Sequence, residues 1–170
     1  MGDAELIREA QELETRRASF YRRMASKVLD PSGKATLMKL SDAEKRHFNI
    51  LKNQKKFLLN GEGVDLKDIG EPIFVGPEKE FDKNVESNRT DVDMLSKSVA
   101  LEKLDAPFYG ELIKKAKFSG VKELFRILQK EEEIHFKAIL SSLEELRARA
   151  VNVSVSRDPR KMFFDIFRRK

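Results

Sequence analysis

The amino-acid sequence predicts an all-α fold, a four-helix bundle of two helical hairpins joined by a long crossover. Charged residues make up 37% of the 170 residues and apolar residues 40%, with 8 Gly and 5 Pro, a balance that suits long solvated helices in one domain. Apolar residues recur at helical spacing in four stretches. The two halves of the sequence also repeat each other at a constant offset, which predicts a bundle with pseudo-two-fold symmetry.

The first hairpin is predicted between residue 3 and residue 60. Its first helix extends from about Asp3 to Leu29, where apolar residues recur at intervals near 3.6 and 7. Residues 30–33, Asp-Pro-Ser-Gly, break this helix, because a proline disfavours the helical conformation in the residue before it. The second helix follows and ends at Asn60-Gly61, since glycine is common just after a helix C-terminus.

The second hairpin follows a segment of different composition. Residues 61–88 contain four glycines and two prolines, which predicts a long connection without a helix. The third helix extends from about Thr90 to Lys117, and the fourth from the turn at residues 119–120 to about Ala148. The predicted bundle therefore covers residues 1–148, with its crossover at about 61–89, and residues 149–170 form a tail. This connectivity is one of the standard ways to build a four-helix bundle.

The tail differs from the rest of the sequence in charge. Residues 147–170 carry a net charge of +6, whereas the preceding residues sum to −1. A nucleic-acid-binding protein would carry its basic residues on the folded face, so nucleic acid is not an expected partner. Apolar and polar residues alternate over residues 151–155, as they do in a β-strand. Residues 162–167 form a short amphipathic segment. We expect that segment to cover the bundle or a dimer mate, with a membrane-surface anchor or a docking motif as alternatives.

Three features that the sequence lacks narrow the expected class of protein and the kind of metal site. No stretch approaches the roughly 18 apolar residues that a membrane span needs. The N-terminus shows no basic segment followed by an apolar run, which predicts no signal peptide and a cytoplasmic location. The sequence contains no cysteine, so any bound metal must be held by oxygen and imidazole nitrogen.

Chemically distinctive residues obey the internal repeat, whose offset is 88 residues. One glutamate in the first helix pairs with one in the third, and a Glu-x-x-His motif in the second helix pairs with one in the fourth. These motifs contain both histidines of the sequence. Residues three apart on a helix share a face, so each Glu and His can bind one ion. The predicted metal ligands are Glu14, Glu44, His47, Glu102, Glu132 and His135.

The neighbours of Glu132 are also acidic, and the repeat distinguishes between them. Glu131 and Glu133 correspond to Ala43 and Lys45, whereas Glu132 corresponds to the glutamate of the first motif. Each predicted ligand glutamate lies 14 to 16 residues from a turn, so all four are expected at a similar height, roughly 20–25 Å from the turns at about 1.5 Å per residue. Burying several ionised carboxylates without compensation costs many kcal/mol. Two cations supply it, as in di-iron and di-manganese carboxylate proteins.

These motifs resemble the rubrerythrin branch of the ferritin-like superfamily over about residues 3–148. The matching stretches are Glu14-x-x-x-Ala18-x-Phe20-Tyr21, Glu44-x-x-His47, Glu102-x-x-Asp105-Ala106-x-Phe108-Tyr109 and Glu132-x-x-His135. The resemblance implies a ferritin-like four-helix bundle with a non-haem di-iron centre that reacts with hydrogen peroxide or oxygen, often as a homodimer. Two iron ions are therefore the expected cofactor, although manganese and zinc accept the same ligands.

The resemblance also implies roles for three further residues. Rubrerythrins usually carry a second Glu three residues after the third-helix ligand, and here that position is Asp105. It is a further candidate ligand, either directly or through water, and an ordinary surface acid is the alternative. Tyr21 and Tyr109 occupy positions where tyrosines of the family hydrogen-bond ligand carboxylates, with core packing alone as the alternative.

The function implied by the resemblance is reduction of hydrogen peroxide by two ferrous ions. Full-length rubrerythrins receive electrons through a rubredoxin domain with four cysteines. This sequence has no cysteine, so its electrons would come from a separate donor protein. Two alternatives remain open: a ferroxidase that handles iron, and a helical bundle that binds a partner without catalysis.

Overall fold

The computed structural model describes residues 2–67, 69–70, 72 and 89–156, without the side chains of residue 89 and residues 150–156. Over this range the chain forms four helices and no strand: α1 (Asp3–Ala25), α2 (Pro31–Leu59), α3 (Arg89–Lys115) and α4 (Ser119–Ser156). Helix α1 packs mainly against α2, and α3 against α4. The predicted all-α, ferritin-like four-helix bundle is confirmed.

Both ends of α2 follow from the local sequence. Asp30 is the N-cap, and its carboxylate accepts a hydrogen bond of 2.8 Å from the backbone N–H of Gly33. Pro31 occupies the first turn, where its missing N–H costs nothing. At the other end Gly61 has a φ of 78°, and the N–H groups of residues 61 and 62 bond back to the carbonyls of residues 58 and 57. This is a Schellman motif, which satisfies the last carbonyls of the helix.

Two aspartates fasten the hairpins to each other at opposite ends of the bundle. Asp91, at the start of α3, accepts hydrogen bonds of 3.0 and 2.9 Å from the backbone N–H groups of residues 29 and 30. Asp3, at the start of α1, accepts bonds of 2.9 and 2.7 Å from those of residues 117 and 118. The two aspartates are 88 residues apart in the sequence, and the donor residues 29 and 30 are 88 residues from the donor residues 117 and 118. The sequence repeat therefore corresponds to a pseudo-two-fold axis that relates the two hairpins of the bundle.

The apolar core is divided into two clusters. One contains Leu37, Leu95 and Leu143 and lies toward the α1–α2 turn, whereas the other contains Leu6 and Leu112 and lies toward the α3–α4 turn. On every helix the predicted metal ligands fall between the residues of the two clusters. A ligand about 15 residues from either turn is near the middle of a helix of about 30 residues. The predicted common height therefore holds although the two turns lie at opposite ends.

Helix α4 is longer than the sequence indicates. It ends at Ser156 rather than near residue 148, and it includes residues 151–155, whose alternation suggests a strand. A helix that is already formed extends at little cost, so a weak local β preference does not stop it. The amphipathic segment at 162–167 lies outside the described residues. None of the helices in the described part has the length and apolar content needed to cross a bilayer.

Candidate metal centre

The six predicted ligands converge at the level between the two apolar clusters. Helix α1 supplies one glutamate, α3 supplies another, and α2 and α4 each supply a Glu-x-x-His pair. All six side chains are buried, with at most 2% of their surface exposed. The imidazole rings of His47 and His135 stack with their centroids 5.3 Å apart and an interplanar angle of 16°. The structure thus brings together four carboxylates and two imidazoles from four separate helices.

The six side chains form two groups that share two carboxylates. Within each group, the possible ligand atoms lie within 4.8 Å of one another. One group is Glu14, Glu44, His47 and Glu132, and the other is Glu44, Glu102, Glu132 and His135. Two ions held by these groups would therefore have two carboxylates in common.

Each shared carboxylate presents one oxygen to each histidine. Glu132 Oε1 lies 3.0 Å from His47 Nδ1, and Glu132 Oε2 lies 3.3 Å from His135 Nδ1. Glu44 repeats this arrangement, with Oε2 and Oε1 each 3.6 Å from the Nδ1 atoms of His47 and His135. Glu44 and Glu132 therefore have the orientation expected of carboxylates that bridge two ions.

Unpartnered atoms at this level fit bound cations. Five carboxylate oxygens and one ring nitrogen of the predicted ligands are buried without a hydrogen bond of acceptable geometry. They are Glu14 Oε2, Glu44 Oε1, His47 Nδ1, Glu102 Oε1 and Oε2, and Glu132 Oε1. Buried polar atoms are normally satisfied, and oxygen and imidazole ligands suit iron, manganese and zinc. The residues present therefore fit a pair of such ions.

The pKa values show how the chain balances these charges without a cation. Burial, followed by the charges of neighbouring carboxylates, raises the pKa of Glu44 and Glu102 well above its usual range. Burial also acts against ionised Glu132, but the adjacent imidazoles of His135 and His47 outweigh it and lower the pKa of Glu132 to about 2. Burial lowers the pKa of His47 and His135, and their carboxylate partners outweigh it, so both are raised. These shifts favour shared protons among the buried ligands, and bound cations would displace those protons.

The two tyrosines contact the centre across the hairpins. Tyr109 of α3 donates its hydroxyl to Glu14 Oε1 of α1. The hydroxyl of Tyr21 of α1 is buried without a hydrogen bond, and its pKa is raised first by burial and then by the charge of Glu102 of α3. Each tyrosine therefore faces the glutamate of the opposite hairpin, rather than the one seven residues before it on its own helix.

Asp105 points to an arginine rather than into the ligand groups. The Arg17 guanidinium binds both of its carboxylate oxygens, with Nε–Oδ2 and Nη2–Oδ1 distances of 2.7 and 2.5 Å. Burial raises the pKa of Asp105 to about 6, although Arg17 acts in the opposite direction. The structure does not bring Asp105 into either group, and its role as a ligand stays a prediction. Arg17 and Asp105 are themselves 88 residues apart, and this opposite-charge pairing is a signal in the sequence.

Glu131, which the repeat does not favour as a ligand, lies beside the centre as a partner of His47. Its Oε2 lies 3.0 Å from His47 Nε2 and accepts a hydrogen bond of 2.7 Å from Arg46. It also groups with both histidines, but that oxygen is already engaged, so we assign Glu131 to orienting His47. An Nε2–H that donates to Glu131 leaves Nδ1, the atom that faces Glu132, free to bind metal. The signal was an extra acid directly before a ligand, at a position where the repeat is broken.

Comparisons with known proteins agree with this fold. The family model for rubrerythrin matches residues 93–165, a span that contains Glu102, Glu132 and His135. The predicted resemblance to rubrerythrins is confirmed. A hypothetical protein from Pyrococcus furiosus has a similar structure, with a TM-score of 0.63 and 21% identity over 87% of this chain and 92% of that chain. At this identity the likeness supports the fold alone. No curated protein matches the chain.

Proposed function

We propose that this rubrerythrin-like chain is a di-iron oxidoreductase that reduces hydrogen peroxide to water with electrons from a separate donor protein. The observation that carries the proposal is the pair of ligand groups that share Glu44 and Glu132. The match to rubrerythrin over the second hairpin supports iron as the metal and peroxide as the oxidant. Manganese or zinc would fit the same ligands.

The ligand groups indicate which residues would hold each ion. Glu14 and His47 would hold one ion, Glu102 and His135 the other, and the two shared carboxylates both. Two ferrous ions bound there would supply the two electrons that, with two protons, convert one hydrogen peroxide into two waters. Tyr109 would keep Glu14 oriented through its hydrogen bond.

The surroundings of the centre restrict its contact with water. The centre lies between two apolar clusters. Phe20 and Phe108 stand edge-on against the neighbouring tyrosines, with ring centroids 5.4 and 5.7 Å apart. An apolar wall of this kind favours a small neutral oxidant such as peroxide over larger polar substrates and prevents side reactions with solvent.

The electron donor, the oligomeric state and the location are proposed on separate grounds. This sequence contains no cysteine, so it holds no cysteine-ligated electron carrier. This supports a separate donor protein. A homodimer stays the expectation that the resemblance to rubrerythrins implies, and a cytoplasmic location stays the expectation from the sequence.

The test is the stoichiometry of a single turnover. The protein is loaded with ferrous ions without oxygen, mixed with hydrogen peroxide, and followed by ferric absorption and by peroxide consumption. We expect one peroxide consumed per two ferrous ions oxidised, faster than with oxygen, and repeated turnover when reduced rubredoxin is added. Glu44→Ala should abolish the reaction, and Glu144→Ala, an exposed site on the same bundle, should leave it unchanged.

Other outcomes would assign a different function. Faster oxidation by oxygen with accumulation of ferric mineral would identify a ferroxidase. A purified protein that retains no metal and takes up none would favour a partner-binding bundle.

A further inference from the structure

The two histidines of the centre are held differently. His47 is fixed through its Nε2 atom by Glu131, and Glu131 is in turn fixed by Arg46. Both charged side chains of this pair are largely buried, with 15% of Arg46 and 7% of Glu131 exposed. Charge-assisted hydrogen bonds of this kind are about twice as strong as neutral ones. The ring orientation of His47 is therefore set before any ion arrives.

Arg46 also connects this histidine to the crossover. Its second terminal nitrogen donates hydrogen bonds of 3.0 Å to the backbone carbonyls of Ile69 and Gly70. One arginine thus links the connection between the hairpins, an acid on α4 and a ligand on α2. Rotation of His47 away from the centre would break its bond to Glu131, an acid that Arg46 holds in place.

The repeat places no equivalent pair beside His135. The position that corresponds to Glu131 is Ala43, and the position that corresponds to Arg46 is Ile134, whose side chain is exposed. The pseudo-two-fold of the bundle therefore fails at these positions. The two ion positions have the same ligand types but unequal support.

The half of the centre that contains Glu102 and His135 also borders a cavity. A cavity of about 230 Å³ lies between α3 and α4, lined by Glu102, Lys103, Ala106, Glu133, Phe136 and Lys137. The corresponding cavity of the first hairpin, about 400 Å³, is lined by Thr15, Ala18, Ser19, Arg22, Lys45, Phe48 and Asn49. A ligand glutamate lines the second cavity, and none lines the first.

We propose that the two ion sites are unequal: the Glu14–His47 site binds first and tightly, and the Glu102–His135 site exchanges its ion through the α3–α4 cavity. This rests on the metal centre of the proposed function but not on its chemistry. Partners that orient a ligand are worth about 10–100-fold in metal affinity. The first site has such partners for its histidine in Glu131 and Arg46, and the repeat supplies no counterpart of them for His135. The second site has a ligand, Glu102, that lines the α3–α4 cavity.

The test is a titration of the metal-free full-length chain with Co²⁺, followed by calorimetry and visible absorption. We expect two binding steps whose dissociation constants differ by about tenfold or more. Glu131→Ala should weaken the tighter step by about 10–100-fold and leave the weaker step nearly unchanged. Glu131→Gln, which keeps the hydrogen bond without the charge, should give an intermediate loss. Glu144→Ala, the same charge change at an exposed site of α4, should change neither step.

The exchange route is tested with the pair of alanines that line the two cavities. Ala106→Leu fills the α3–α4 cavity, and Ala18→Leu is the matched change in the first hairpin. Release of Co²⁺ to a chelator should be biphasic in the wild-type chain. Ala106→Leu should slow the faster phase severalfold, and Ala18→Leu should not.

Each contrary result has a definite meaning. Two ions bound with equal affinity, or an equal effect of Glu131→Ala on both steps, would overturn the inequality and leave peroxide reduction standing. A fast phase that responds to Ala18→Leu and not to Ala106→Leu would overturn the route. A chain that binds no Co²⁺ would overturn both this inference and the proposed function.

Discussion

Tyr109 of one hairpin donates its hydroxyl to the Glu14 carboxylate of the other, so the orientation of this glutamate depends on the way the two hairpins dock. Tyr21, its counterpart in the repeat, makes no such hydrogen bond. The two tyrosines share their burial and their edge-on phenylalanine. They therefore form a matched pair for mutation.

Replacing Tyr109 by Phe should lower metal affinity at the site that contains Glu14. Loss of the orienting hydrogen bond is expected to weaken binding by about tenfold, with the upper limit near 100-fold. The measurement is a Co²⁺ titration of each variant after circular dichroism has shown that it is folded. Tyr21→Phe is the control and should have the smaller effect. The reverse order of the two variants would contradict the role assigned to Tyr109.

Variants of the carboxylates should separate shared ligands from unshared ones. We expect about two ions per chain in the wild-type protein. Glu44→Ala and Glu132→Ala should each remove most of the metal, because both ions lose a ligand, whereas Glu14→Ala should remove about one ion. Elemental analysis of the purified variants gives these ratios directly. Full metal content in Glu44→Ala or Glu132→Ala would show that the centre is assigned wrongly.

The stability of the metal-free protein should fall as pH rises. The folded pKa values of Glu44 and Glu102 lie above their usual value of 4.5, and those of His47 and His135 lie above 6.5. Their contribution is fully present below the usual values and is lost as pH rises through the folded ones. The pKa of Glu132 is shifted in the opposite direction, so its contribution to stability is lost only as pH falls through about 2. That loss lies outside the interval of pH 6 to pH 9 in which the test is made.

Melting temperatures of the metal-free protein between pH 6 and pH 9 give the test. They should decrease over this interval, and Glu44→Gln, which removes one of the raised groups, should flatten the decrease. Metal affinity should rise over the same interval, because binding must displace protons from the ligands. A metal-free melting temperature that increases toward pH 9 would contradict the prediction.

Removal of the metal should leave the helices in place. Two apolar clusters lie on either side of the centre, and their burial does not depend on a cation. Circular dichroism at 222 nm should therefore be nearly unchanged after chelation, while the melting temperature falls because a ligand of the native state has been lost. Complete unfolding at moderate temperature on chelation would show that the clusters are too weak to hold the bundle.

The Arg17–Asp105 pair should matter more for stability than for metal binding. Arg17→Met leaves the buried Asp105 carboxylate without its partner, which is expected to cost about 3 kcal/mol of unfolding free energy. The double variant Arg17→Met/Asp105→Leu should recover much of this lost free energy of unfolding. Lys45→Met, at an exposed ion pair with Asp42, is the control and should cost less than about 1 kcal/mol. If Asp105 is instead a ligand, Asp105→Asn will lower the metal content.

Much of the fold and the six-residue centre could be predicted because the signals were local or repeated. The stop at Gly61 and the break at Pro31 depend on neighbouring residues. The two histidines fix the register of the repeat, and the register then identifies the four glutamates.

What the sequence did not reveal depends on docking between the hairpins. Glu131 is in α4, and its partners Arg46 and His47 are in α2, so no local pattern connects them. Tyr109 of the second hairpin likewise donates its hydrogen bond to Glu14 of the first. The repeat identifies only residues that the two halves share. It therefore does not point to Glu131 or Arg46, because neither residue has a counterpart of the same type in the other half.

The reciprocal clamps of Asp3 and Asp91 have a consequence for the origin of the chain. Besides one Glu-x-x-His motif, each hairpin carries one further predicted ligand glutamate and one aspartate that caps the turn of its neighbour. Two identical hairpins related by a true two-fold could therefore supply every ligand of the centre and both clamps. Duplication and fusion of such a hairpin frees each half to diverge, and a change that strengthens one ion position no longer has to appear at the other.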